Sequence, residues 1–87
     1  MKINFADIKF RPSLFEVAAP IKDFNKQLAN SIWQQKDIAA GKFALRLFDN
    51  PEIEVSKEEV GFIKEALGGF VQWVGVAVLE ALGEEEG

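Results

Sequence analysis

Eighty-seven residues with 48% hydrophobic side chains, eight phenylalanines and a net charge of −4 fit one small folded domain and lie outside the disordered range. The chain has no cysteine and no histidine, which excludes disulfides, thiolate nucleophiles, Cys-based zinc sites and a Ser-His-Asp triad. Charge is uneven: residues 1–48 hold eight Lys or Arg against four acids, and residues 49–87 hold two Lys against ten acids, which suits halves packed on each other or on a neighbouring subunit, or a basic face kept for an anionic partner.

Taken in order, Ile3 and Phe5 alternate with Lys2 and Asn4, which predicts a half-buried strand over 2–5. Ile8 and Phe10 continue it on the other phase after a break near residue 7. Arg11-Pro12-Ser13 reads as a turn and 14–18 as a second extended segment that Pro20 ends, so the two would form a hairpin. The period then changes. Ile21, Phe24, Leu28 and Ile32 recur at three- and four-residue steps, predicting a helix over 20–35 with Pro20 at its first position. Lys22, Asp23, Asn25, Lys26 and Asn30 form its wetted face. Trp33 falls on that lysine side, where it either folds over the hairpin or Phe43, or marks a second contact patch.

Asp37 is placed to cap a second helix over 37–49, with Ala40, Phe43, Ala44, Leu47 and Phe48 on its apolar face and Asn50-Pro51 as its stop. Alternation in Glu52-Ile53-Glu54-Val55 predicts a strand over 52–55, available to pair with 2–5. Ser56-Lys57-Glu58-Glu59 is a capping box that opens a helix over 56–67, with Val60, Ile63 and Leu67 along one side until Gly68-Gly69 interrupts it.

The last helix, 70–82, has ten apolar residues in thirteen. At about 20 Å it is too short to cross a bilayer core of roughly 30 Å. A helix apolar nearly all round must be covered nearly all round, and a domain this small has few elements to cover it. With Val71, Val74, Val78 and Leu82 turned to the core, Phe70, Trp73, Val76 and Ala77 are left for a neighbour, and Trp and Phe are typical anchors of such surfaces. The alternative is a central helix sandwiched between the sheet and the other helices.

Conventional chemistry has little to work with. Ser13, Ser31 and Ser56 sit in a turn, on a helix and in a cap, none with the context of an activated nucleophile. The carboxylate pairs Glu52/Glu54 and Glu58/Glu59 lack the glycine-containing loop of a calcium site, and Gly68-Gly69 lacks the Lys-Ser/Thr of a phosphate loop. No enzyme, cofactor, metal or small-molecule substrate is expected. A nucleic-acid interface would use Lys2, Lys9, Arg11, Lys22 and Lys26, with Trp33 to stack on a base. The start lacks the apolar run of a secretory signal, so the expected location is cytoplasmic, with no membrane partner.

The run Leu28-Ala29-Asn30-Ser31-Ile32-Trp33, then Asp37-Ile38, then residues 43–48 and 52–60, resembles in order a family of small uncharacterised proteins of phages and integrated mobile elements. Its members share a helix with a Leu-(Gly/Ala)-Asn-x-Ile-aromatic run, an acid-led second helix, a Val-Glu-Leu-like strand and a capped helix. The match covers about half the chain, with Ala29 where glycine is common and Trp33 where tyrosine is common. It implies a small accessory protein of a mobile element acting by contact with phage or host proteins. The sequence thus predicts one α+β domain over 1–83, four helices packed with a small two- or three-stranded antiparallel sheet from 2–5, 14–18 and 52–55, and an acidic, frayed tail at 84–87. Its expected function is protein binding, self-association through the last helix included.

Overall fold

A computed structural model describes residues 1–83; the acidic tail expected at 84–87 lies outside the described residues. The order of elements is β1 (Lys2–Asn4), β2 (Lys9–Phe10), β3 (Ala19–Pro20), α1 (Phe24–Trp33), α2 (Ile38–Asp49), β4 (Glu52–Glu54), α3 (Lys57–Leu67) and α4 (Gln72–Ala81). This is an α+β fold with four helices and two antiparallel two-stranded sheets, β1 with β4 and β2 with β3.

The first sheet follows the pattern read from the sequence. Ile3 pairs with Ile53, Lys2 with Glu54 and Asn4 with Glu52, so the two isoleucines enter the core and the polar side chains stay wet. The strand breaks where expected: Asn4 accepts the amides of Ala6, through its side chain, and Asp7, through its carbonyl, and the turn returns Ile8 and Phe10 to the core on the other phase.

The second sheet corrects the expectation for 14–18. That segment forms no strand; β2 pairs instead with Ala19–Pro20, Lys9 opposite Pro20 and Phe10 opposite Ala19. Leu14 and Phe15 fall on both phases, so a strand there would have no polar face to leave in water. Ser13 organises a turn in its place, accepting Phe15 N at its Oγ and Glu16 N at its carbonyl, while Arg11 Nη2 donates to Leu14 O at 2.7 Å.

Helix α1 begins at Phe24, later than the expected 20, because Pro20 is spent in β3. Asp23 provides the corner in the left-handed region (φ 57°), and its carbonyl accepts from Lys26 N and Gln27 N. Asn25 does not belong to a wetted face: it is buried, and its Nδ2 donates to Leu47 O at 2.9 Å and Phe48 O at 3.2 Å, satisfying carbonyls at the end of α2. Helix α2 starts at the expected Asp37 cap, whose Oδ1 accepts Ala39 N at 2.8 Å. Helix α3 has the full capping box, Ser56 N to Glu59 Oε1 at 2.9 Å and Glu59 N to Ser56 Oγ at 3.2 Å.

The core is a single cluster. Helix α1 packs on α2 and α3, β4 lies along α2, and α4 is held by α3 and β2. An aromatic group joins the hairpin to the helices: Phe10 meets Phe24 at 4.6 Å between centroids and Trp73 edge-on at 6.3 Å, and Phe24 meets Phe70 at 6.0 Å. Three ion pairs link the basic half to the acidic half: the Met1 ammonium with Glu54, Lys2 with Glu52 (both 3.2 Å) and Arg46 with Glu59. The charge asymmetry is thus partly met inside the protomer.

Candidate functional site

Helix α4 is covered on one side. Val74, Val78 and Leu82 are buried, but Val71, expected to join them, is more than half exposed as the residue that caps the helix. Of the four residues expected to face a neighbour, Phe70 and Trp73 are half-buried through the aromatic group, Ala77 is half-buried, and Val76 keeps 47% of its surface. The helix is therefore neither central nor bare; it presents a partly covered apolar strip.

That strip is one wall of an open groove of about 470 Å³. Trp73, Val76 and Ala77 form the helical wall, and Leu14 and Ala18 of the β2–β3 loop form the other. Charge is placed asymmetrically: Lys9 and Arg11 stand on the hairpin side, Glu80 and Gln72 on the helix side. The loop carries the most exposed large apolar side chains among the described residues, Leu14 at 83% on the groove wall and, outside it, Phe15 at 100% and Val17 at 90%. The sequence pattern did not mark these three as surface residues. The signal was there, in apolar residues on both phases of a segment framed by Pro12 and Pro20.

Trp33 is 52% exposed, and its ring lies against Gly41, where an added Cβ would stand 3.6 Å from the indole. With Leu45 and Phe48 it rims a smaller apolar groove of about 250 Å³ floored by Ala29 and Ala44. Phe48, expected inside, is half exposed there, and Lys26 Nζ stands 5.3 Å from its ring centroid.

The basic residues named for a nucleic-acid face come from three places in the chain. Lys2 belongs to the β1–β4 sheet and is paired with Glu52, Lys9 and Arg11 line the α4 groove, and Lys22 and Lys26 flank the start of α1. Three members of the carboxylate pairs are engaged: Glu52 with Lys2, Glu54 with the Met1 ammonium, Glu59 with Ser56 and Arg46. No helix among the described residues is long and apolar enough to cross a membrane.

Together these features define an α+β domain with an open, partly apolar groove between a helix and a hairpin loop. Comparisons with protein-family models, curated proteins and solved structures find no match to the chain.

Proposed function

We propose that the chain is a non-catalytic protein-interaction module that self-associates through the face of α4. One observation carries this reading: Val76, Trp73 and Ala77 form an apolar groove wall that the rest of the protomer leaves open. An exposed apolar patch walled by an aromatic and rimmed by charge has the make-up of a protein interface, with a dry centre and a polar edge. The resemblance to small mobile-element proteins extends the proposal to a cytoplasmic accessory role, exerted by contact rather than by chemistry. The rival reading, nucleic-acid binding through Lys2, Lys9, Arg11, Lys22 and Lys26, draws less support because Lys2 is paired with Glu52 and the groove that Lys9 and Arg11 line also holds Glu80.

Light scattering over a concentration series tests the proposal. The wild type is expected to be dimeric at micromolar concentration and Val76→Glu monomeric with an unchanged circular dichroism spectrum, since position 76 is exposed. A wild type that stays monomeric at hundreds of micromolar, or salt-sensitive retention on DNA by Lys9 and Arg11, rejects it in favour of a foreign partner or of nucleic acid.

A further inference from the structure

The groove is bounded by unlike charges and lies next to a protruding loop, and this combination has a geometric consequence. In a two-fold dimer the same patch is used by both copies, so every element on it must find its complement on that patch. Here the patch holds a projection and a recess, and a cationic wall and an acidic one. We propose that each copy inserts its β2–β3 loop, led by Phe15, into the α4 groove of the other, with Lys9 and Arg11 of one copy facing Glu80 of the second. The inference rests on the self-association reading above and names the occupant of that site.

Area supports the pairing. A stable dimer takes about 800 Å² from each partner. An aromatic side chain such as Phe15 presents roughly 150–250 Å². Val17 is nearly as exposed, and the half-covered Trp73, Val76 and Ala77 receive both, so loop and groove supply the apolar centre of such an interface and the charged rim its edge. The loop is also held ready: Arg11 Nη2 bonds to Leu14 O and the Ser13 turn fixes Phe15 at the tip, so little ordering is required on association. Arg11 retains further N–H groups for a carboxylate across the axis.

A charge-swap mixture distinguishes contacts across the axis from contacts within one copy. Arg11→Glu alone sets carboxylate against carboxylate twice in its own dimer, and Glu80→Arg alone sets cation against cation twice. Mixed one to one, the two chains form a heterodimer in which both contacts are complementary. Each variant is expected to be monomeric by sedimentation velocity at concentrations where the wild type is dimeric, and the mixture is expected to regain the dimer mass. Lys9→Glu serves in place of Arg11→Glu if loss of the bond to Leu14 O disturbs the loop. Phe15→Ser is expected to weaken the wild-type dimer at least tenfold while the circular dichroism spectrum is unchanged. If the wild type dimerises but the mixture stays monomeric, or Phe15→Ser dimerises as the wild type does, loop exchange is wrong and the α4 reading survives. If the wild type itself never dimerises, both fail.

Discussion

Asn25 follows Phe24 on a helix surface that its polar neighbours mark as wet, yet its amide reaches into the core and donates to two carbonyls of α2. Removing that donor takes a bond from the Phe48 carbonyl, leaves Leu47 O with Asn50 N and opens a small cavity, so Asn25→Ala is expected to cost about 2–3 kcal/mol in urea unfolding. The opposite sign is expected at Gly61. It lies in the exposed middle of α3 with nothing within 4 Å of an added Cβ, so Gly61→Ala should raise stability by about 1 kcal/mol through helix propensity alone. Both substitutions are read from chemical denaturation with an unchanged m-value.

Among the elements, α3 is the one specified most locally. Ser56 and Glu59 close both halves of its capping box, and Ser56→Ala is expected to cost about 1 kcal/mol, measured as a lower urea midpoint. Such local chemistry is why this helix, the Asp37-capped α2 and the pairing of residues 2–4 with 52–54 are legible in the amino-acid sequence: each depends on neighbours along the chain or on a strict alternation. The segment from Arg11 to Pro20 is not. Its residues have strand propensity, but whether a strand forms depends on an available face, and the core is already filled by Phe10 and Phe24. Pro20 reads as a helix start because nothing in the local pattern reveals that β2 claims it. For the site, the α4 strip is visible as an excess of apolar residues, whereas the opposing loop wall is set by tertiary packing. Asn25 and Phe48 both depart from expectation, Asn25 because the α2 carbonyls supply tertiary partners that the local pattern does not reveal.

At the scale of the whole molecule, stability is concentrated where Phe10, Phe24, Phe70 and Trp73 join hairpin, α1 and α4. Phe10→Ala removes the ring that touches two of the others and is expected to cost about 3–5 kcal/mol. That is a large share of the roughly 5–15 kcal/mol typical of a native domain, and thermal melts should show a partly unfolded population with altered Trp73 fluorescence. The exposed pairs Met1–Glu54 and Lys2–Glu52 contribute far less, since solvent-exposed pairs give about 0–1 kcal/mol each.

The β1–β4 pairing sets a timetable for synthesis. Lys2–Asn4 leaves the ribosome before its partner and has no hydrogen-bonding strand to pair with until Glu52–Glu54 emerges, which at 5–20 residues per second takes on the order of several seconds. Throughout that interval the nascent chain must wait with β1 unzipped.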